Sequence, residues 1–227
     1  MYLNFISLIF PKICFACGRS LYHGEECICT YCRYHLPKTD YHLDPENPIA
    51  KLFWGRVSIH AATSYYSFSK GGKVQHLIHQ MKYKGHKEIG NSIGKFLGAE
   101  LKQSELFNSV NTIVPVPLHP DKLKKRGYNQ SNFLAEGLSK SMFAEADLKS
   151  LRRVFYTESQ TRKKRYARWQ NVETVFEIAD KKQLEGKHIL LVDDVVTTGA
   201  TLEACAQKIL EIPGTKVSIA TMAYSGN

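Results

Sequence analysis

The chain of 227 residues is 43% hydrophobic and 23% charged, and it carries a formal net charge of +10. Its length suits one sizeable core with a small appendage, and its charge favours polyanions such as phosphates, pyrophosphates or nucleic acid. The apolar residues 1–10 lack a basic leader and run directly into Pro11. This excludes the pattern of a signal peptide or a membrane span, so we expect a cytoplasmic protein.

The first distinctive region is a cysteine-rich stretch that holds five of the six cysteines. A secreted disulfide domain would spread its cysteines along the chain, so this clustering favours reduced or metal-bound thiols. Two C-x-x-C pairs, Cys14 with Cys17 and Cys29 with Cys32, are separated by 11 residues. Four thiolates at this spacing predict a closed, structural zinc site. Cys27 is an alternative to Cys29 as a ligand, and unliganded thiols or redox pairing are alternatives to zinc.

Composition divides the chain into three parts. Residues 1–36 are rich in cysteine and aromatic residues, and we interpret them as a zinc-ribbon-like module that needs its metal to fold. Residues 37–56 contain three prolines and predict a linker or an irregular hood. Residues 57–227 alternate between strand-like and helix-like patterns, which indicates an α/β domain whose mainly parallel sheet is flanked by helices.

The elements of this domain are predicted from two periodicities. Runs of β-branched or continuous apolar residues predict strands, and apolar residues three and four apart predict helices. The predicted strands are Val57–Phe68, Thr112–Val116, Thr174–Ile178 at an edge, Lys187–Val192 at the centre, and Lys216–Ala223. The predicted helices are Lys73–Tyr83, Ile89–Leu101, Asn129–Ser141 and Thr201–Leu210.

Cations follow the strand that is predicted to end at Val116. Taken alone, a proline-rich turn followed by lysines is typical of a solvated loop. The carboxyl end of a strand is also where α/β proteins bind ligands, so these cations could face a phosphate. The candidate residues are Pro117, Leu118, His119 and Arg126, with Lys122, Lys124 and Lys125 beside them.

A second basic run places five cations within the seven positions 162–168. Like charges at this density repel one another and leave a segment mobile until an anion binds. One interpretation is a solvated basic face. Another is a nucleic-acid contact, in which the interleaved Tyr166 and Trp169 stack on bases.

The most informative segment is the run 189–201. An apolar strand is predicted to end at Val192, and two carboxylates, Asp193 and Asp194, follow it. Adjacent carboxylates suit a pair of ribose hydroxyls or a hydrated Mg²⁺. The next helix offers its N-terminal N–H groups to a phosphate, and Gly199 allows close approach of the backbone. The acidic strand of a P-loop nucleotidase would also need a G-x-x-x-x-G-K-[ST] loop, which the sequence lacks.

This run resembles the signature of type I phosphoribosyltransferases, which bind 5-phosphoribosyl-1-pyrophosphate (PRPP). The resemblance implies that Asp193 and Asp194 hold the ribose 2′- and 3′-hydroxyls. The residues that it places around the 5′-phosphate are Val195, Val196, Thr197, Thr198, Gly199, Ala200 and Thr201. The alternative is a strand end with ordinary threonine caps.

The wider pattern resembles the ComF family of competence-associated phosphoribosyltransferase-like proteins. It consists of this run, the cysteine pairs, the stretch His79–Gly85 and the stretch Val114–Gln130. The resemblance implies PRPP bound with Mg²⁺, and a pyrophosphate loop after the strand at Val116. It also implies a flexible loop that closes over pyrophosphate, for which the candidates are Arg162, Lys163, Arg165 and Arg168.

Three functions are compatible with this resemblance. One is Mg²⁺-assisted transfer of a phosphoribosyl group to a nucleophile; neither the acceptor nor a catalytic base stands out in the sequence. The second is a non-catalytic role in natural transformation, in which PRPP is a ligand and the protein handles incoming single-stranded DNA. The third is an interaction module, in which the zinc-binding cysteine pairs dock a competence partner such as a helicase.

Overall fold

The computed structural model describes residues 11–154 and 175–226. At its centre lies a parallel sheet of five strands in the order β1-β7-β6-β2-β3. These strands are β1 (Ala61–Ser67), β2 (Thr112–Pro115), β3 (Glu145–Ala146), β6 (His188–Val196) and β7 (Lys216–Tyr224). A second, antiparallel sheet pairs β4 (Leu151–Val154) with β5 (Val175–Ile178).

Helices cover both faces of the parallel sheet. The helices are α1 (Thr30–His35), α2 (Pro48–Lys51), α3 (Lys73–Tyr83), α4 (Glu88–Gln103), α5 (Pro120–Arg126), α6 (Gln130–Met142) and α7 (Ala200–Leu210). Successive side chains of β6 point to opposite faces. Leu190 and Val192 pack with residues of α3, α4 and α6, whereas Ile189 and Leu191 pack with α2 and α7. The predicted α/β architecture with a mainly parallel, helix-flanked sheet is therefore confirmed.

Three predicted elements differ from the observed ones. The central strand does not end at Val192 but continues to Val196, because β7 pairs with it along this whole length. Of the predicted strand at 174–178, residues 175–178 form β5, which pairs antiparallel with β4 in a separate two-stranded sheet and not with the main sheet. Residues 57–60 precede β1 without strand structure, so only the later part of the predicted first strand forms.

Helix α5 was expected to be a loop. Its start is favoured by Pro120, because a proline fits the first position of a helix, and by the His119 ring, which accepts a hydrogen bond from the Asp121 amide at 3.2 Å. Asn129 then caps α6 by accepting from the Ser131 amide at 3.2 Å. Its Nδ2 also donates to the Val116 carbonyl at 2.9 Å. These bonds fix α6 beside the end of β2.

Residues 37–56 lie against β1 and are held there by one buried side chain. Asn47 Nδ2 donates to the carbonyls of Tyr41, Asp44 and Ala62, and its Oδ1 accepts from two amides of α2. The segment covers the sheet, as a hood would. The boundaries at residues 36 and 56 stay a prediction.

The cysteine-rich segment packs directly onto the main core. Cys14, Cys27 and Cys32 belong to the same hydrophobic cluster as residues of α3 and α4. Within residues 11–154 and 175–226, no helix is long and apolar enough to cross a membrane.

Candidate functional site

A cavity of about 590 Å³ lies where the carboxyl ends of β2 and β6 meet. Its anionic wall consists of Asp193 and Asp194, and Thr201 lies beside them. Cations also line the cavity: Lys82, Lys122, Lys125, Arg126 and Arg153. The cavity therefore offers both hydrogen-bond acceptors and positive charge, a combination that suits a ligand with both hydroxyl and phosphate groups.

The two carboxylates are held by residues of α6 and α3. Ser131 Oγ donates to Asp193 Oδ1 at 2.9 Å, and the Asp194 amide donates to the same oxygen at 2.8 Å. Asp194 Oδ2 accepts from Gln130 Nε2 at 2.5 Å and lies 2.8 Å from Lys82 Nζ. The orientation of both carboxylates is thus fixed before any ligand arrives.

Asp193 is unusually easy to protonate. Burial, and then the negative charge of Asp194, raise the pKa of Asp193 to about 7 from its ordinary value of 3.8. Hydrogen bonds from the Asp194 amide and Ser131 oppose this shift without cancelling it. Near neutral pH, a small change in surroundings therefore switches this group between acceptor and acid.

The loop after β6 turns sharply into α7. Gly199 has a φ of 77°, which is the left-handed conformation that glycine adopts without strain. A Cβ atom at this position would lie 3.0 Å from the ring of Phe53. Arg56 donates to the Thr198 carbonyl at 3.2 Å and pairs with Glu203 of α7. The hood segment therefore clamps this loop from outside the sheet.

The predicted phosphate-binding run divides into two parts. Val195 and Val196 belong to β6 and pair with β7, so their backbone is already used by the sheet. Thr197 and Thr198 are exposed, and Ala200 and Thr201 begin α7. Thr201 lines the cavity. The part available to a phosphate is the turn and the first residues of the helix.

Only some of the residues predicted to bind pyrophosphate line the cavity. Pro117, Leu118 and Arg126 line the cavity, and Arg126 donates to Gln130 Oε1. His119 caps α5 through Asp121 and is not among the described residues that line the cavity. The His119 ring lies at the start of α5 because this segment forms a helix and not the expected loop. The basic candidates Arg162, Lys163, Arg165 and Arg168, with Tyr166 and Trp169, lie outside the described residues.

The sulfur atoms of Cys14, Cys17, Cys29 and Cys32 lie within 4.8 Å of one another. Sulfur atoms at the corners of a zinc tetrahedron are about 3.8 Å apart, given a Zn–S distance of about 2.3 Å. Cys17 Sγ and Cys29 Sγ are 3.7 Å apart. Amides also point at the sulfurs, since the Cys29 amide donates to Cys14 Sγ at 3.3 Å and the Cys32 amide to Cys29 Sγ at 3.4 Å. The donor set and its spacing therefore fit zinc.

Cys27 does not join this cluster. Its thiol points towards α4 and lies 3.7 Å from the Glu88 carbonyl. The structure thus places Cys29, and not Cys27, with the other three cysteines. Cys205 lies on the buried face of α7, where burial raises the pKa of its thiol.

Three residues that hold the paired carboxylates were missed as candidates: Lys82, Gln130 and Ser131. Lys82 lies in the stretch His79–Gly85, and the other two lie at or beside the end of Val114–Gln130. The stretch His79–Gly85 was singled out for resemblance alone, and Val114–Gln130 for resemblance and for its cations. A lysine at the end of a helix carries no local signal that it meets a carboxylate more than a hundred positions later.

The sequence of the chain is similar to one protein family and to several known proteins. Residues 124–227 match the family described as Phosphoribosyl transferase domain. The chain is 28% identical to the DNA utilization protein YhgH of Escherichia coli over 219 residues, which cover 89% of this chain and 92% of that one. It is 27% identical to Competence protein ComFC of Bacillus subtilis over 208 residues, covering 82% and 79% of the two chains.

Among solved structures, the chain is similar to the glutamine PRPP amidotransferase of B. subtilis. The TM-score is 0.43 and the identity 20%, over 63% of this chain and 30% of the other. The chain therefore spans about a third of that enzyme's length.

Proposed function

Because the chain belongs to the ComF family and has a type I phosphoribosyltransferase fold, we propose that its cavity binds PRPP together with Mg²⁺. One observation carries this proposal. The paired carboxylates Asp193 and Asp194 and the cations of α5 line one cavity, at the carboxyl ends of neighbouring parallel strands. PRPP has the matching distribution of groups, since its ribose hydroxyls donate hydrogen bonds and its pyrophosphate is strongly anionic.

The ligand has one natural orientation in this cavity. The ribose hydroxyls donate to Asp193 and Asp194. The 5′-phosphate lies at the start of α7, where the free amides of the first turn and the hydroxyls of Thr197, Thr198 and Thr201 are donors. The pyrophosphate faces Arg126, with Pro117 and Leu118 forming the wall beside it.

Magnesium fits this arrangement because Asp193 and Asp194 supply oxygen atoms, which are the ligands that Mg²⁺ prefers. The ion would neutralise charge on the pyrophosphate as it leaves. In a transfer reaction, the bond between ribose C1 and the pyrophosphate oxygen breaks and a bond from C1 to the acceptor forms. The residues of this cavity orient the ribose and stabilise the departing anion.

Calorimetry with PRPP and Mg²⁺ tests the proposal. The double substitution Asp193→Asn and Asp194→Asn should abolish measurable PRPP binding, because both acceptors for the ribose are weakened. Glu105→Gln is a matched control, since this exposed carboxylate lies on the loop after α4, outside the cavity lining. Unchanged affinity in a folded double mutant would refute the assignment of the cavity.

We also propose that Cys14, Cys17, Cys29 and Cys32 bind one structural zinc ion. A closed four-cysteine site leaves no open position for a substrate, so its role is to hold the module on the core. Metal analysis of protein purified without chelator should find one zinc per chain. Zinc retained in Cys29→Ser but lost in Cys27→Ser would show that the fourth ligand is wrong.

A second function, the handling of single-stranded DNA, is favoured by the rim of the cavity. Tyr83 is 66% exposed, and the Arg126 guanidinium lies 5.6 Å from its ring centre. Lys87 Nζ lies 4.8 Å from the ring centre of Tyr128. Tyr83 is exposed and Tyr128 is half-buried. Aromatic rings beside cations are the kind of surface on which the bases of single strands stack while their phosphates pair with the cations.

Titration with single-stranded DNA separates the two functions. If DNA crosses this rim, Tyr83→Ala should weaken binding by about 1–3 kcal/mol. Lys125→Met should lower the slope of log affinity against log salt by about 0.7. Tyr34→Ala, which removes an exposed tyrosine from the cysteine module, is the matched control. If only Tyr34→Ala weakens binding, the DNA surface lies on the cysteine module and not on this rim.

A further inference from the structure

The cavity contains an ion pair that competes with the proposed ligand. Lys82, in the last turn of α3, places its Nζ 2.8 Å from Asp194 Oδ2. The same oxygen accepts a hydrogen bond from Gln130 Nε2 at 2.5 Å. Each carboxylate oxygen has two lone-pair positions. Both positions on Oδ2 are therefore filled, and a ribose hydroxyl can use this oxygen only by displacing a donor.

The two donors differ in how firmly they are held. Gln130 is buried, and Arg126 donates to its Oε1. The Lys82 side chain is flexible and 21% exposed, and Asp194 is its only ion-pair partner within residues 11–154 and 175–226. An ammonium on four methylenes can swing to a new partner, whereas the Gln130 amide is fixed at both ends. Lys82 is therefore the donor that leaves.

The released ammonium has a stronger anion within reach. Lys82 lines the same cavity as Lys122, Lys125 and Arg126, which form the cationic wall where the pyrophosphate of PRPP lies. Pyrophosphate carries several negative charges, whereas Asp194 carries one. The Coulomb attraction therefore draws the ammonium from the carboxylate to the ligand once pyrophosphate enters.

We propose that Lys82 exchanges partners when PRPP binds: its ammonium leaves Asp194 for the pyrophosphate and thereby frees Asp194 for the ribose. This inference rests on the proposed PRPP site. It makes Lys82 a ligand-binding residue, and it couples the two ends of the ligand. A ligand with a ribose but no pyrophosphate has to compete with Lys82, whereas PRPP recruits it.

The test compares three ligands on Lys82→Met, each with Mg²⁺ present. PRPP and inorganic pyrophosphate should bind about tenfold or more weakly, because a charge-assisted hydrogen bond is lost. Ribose 5-phosphate should bind as well as to wild type, or more tightly, because its competitor is gone. Lys84→Met removes the same charge from an exposed position two residues away and should resemble wild type. Lys82→Arg should restore part of the pyrophosphate affinity.

The remaining outcomes are distinct. If Lys82→Met weakens the binding of all three ligands equally, Lys82 only positions Asp194. If PRPP affinity is unchanged, Lys82 does not contact the pyrophosphate. Either result overturns partner exchange but leaves the proposed PRPP site intact. Failure of wild type to bind PRPP would refute the site itself, and partner exchange with it. Melting curves verify folding, and Lys82→Gln is the second variant if Lys82→Met does not fold.

Discussion

The cysteine cluster and the cavity at the end of β6 are assembled in different ways. All four clustered cysteines lie within residues 14–32, and one short segment brings their sulfurs together. The cavity instead draws its walls from α3, from the stretch between β2 and α6, and from the junction of β6 with α7. A site made from one segment can be predicted from spacing. A site made from distant segments can be predicted only where a local motif marks one of its walls.

The largest expected effect belongs to the cysteine cluster. Cys32→Ser should release the metal and lower the free energy of unfolding by about 5 kcal/mol or more, because metal binding supplies the folding energy of such modules. The whole chain should melt earlier, since Cys32 shares a hydrophobic cluster with α3 and α4. Thermal unfolding with parallel zinc analysis checks this.

In the cavity we expect the opposite: the double substitution of Asp193 and Asp194 should remove ligand binding without lowering the melting temperature. If zinc-free Cys32→Ser has the melting temperature of wild type, the cysteine cluster has no structural role.

The next effect concerns the helix pair that holds the rear wall of the cavity. A Cβ atom at Gly137 of α6 would lie 2.2 Å from the Asn91 carbonyl and 2.9 Å from Gly94 Cα. Gly137→Ala should therefore force α4 and α6 apart and cost about 1–3 kcal/mol of stability. Chemical denaturation measures this, with Lys140→Ala on the exposed face of α6 as control. Equal stability of the two variants would show that the helices do not touch so closely.

The raised pKa of Asp193, about 7 against an ordinary value of 3.8, predicts a pH-dependent effect. Between these two pH values the unfolded chain has lost a proton that the folded chain keeps, so Asp193 destabilises the fold increasingly as pH rises. The penalty is complete above about pH 7 and absent below about pH 4. Asp193→Asn should therefore stabilise the protein at pH 8, by on the order of 2 kcal/mol, and change little at pH 4. Glu105→Gln should show no such difference between the two melting curves.

The smallest effect concerns ligand binding, and not stability, at Asp193. Ribose hydroxyls need an ionised acceptor. PRPP affinity should therefore increase about tenfold for each unit by which the pH is raised towards 7, and it should level off above pH 7. Calorimetry across this range gives the profile. In Asp193→Asn, any residual binding should lose this slope. A flat profile in wild type would show that another group accepts the hydroxyls.

Much of the fold could be predicted from sequence because its signals are local. The helix Lys73–Tyr83 was predicted at its observed bounds, and the strands at Thr112 and Lys216 differ from their predicted ends by a single residue. The strand ending at Val192 was predicted too short, because Asp193 and Asp194 interrupt the apolar run while the pairing with β7 continues. Pairing with a neighbour leaves no mark in the strand's own sequence.

The candidate site was predictable to the same extent. Asp193 and Asp194 stood out because they follow an apolar strand and precede a glycine turn. Lys82 did not, because only the tertiary fold brings the last turn of α3 to Asp194 at the end of β6. His119 was assigned to a ligand, whereas Pro120 starts a helix that takes its ring as a cap. For Lys82 the missing information was which segments become neighbours, whereas the cap at His119 depends on the residues directly beside it.

The order of strands in the sheet has a consequence for any shortened form of the protein. The residues that match the phosphoribosyl transferase family begin at residue 124, after both β1 and β2. A chain cut at that point keeps β6 and β7 but loses the strand on the outer side of each. Two long apolar strands would then expose unpaired amides and carbonyls, which are a template for joining other chains. Such a fragment should aggregate, even though it contains the entire run 189–201.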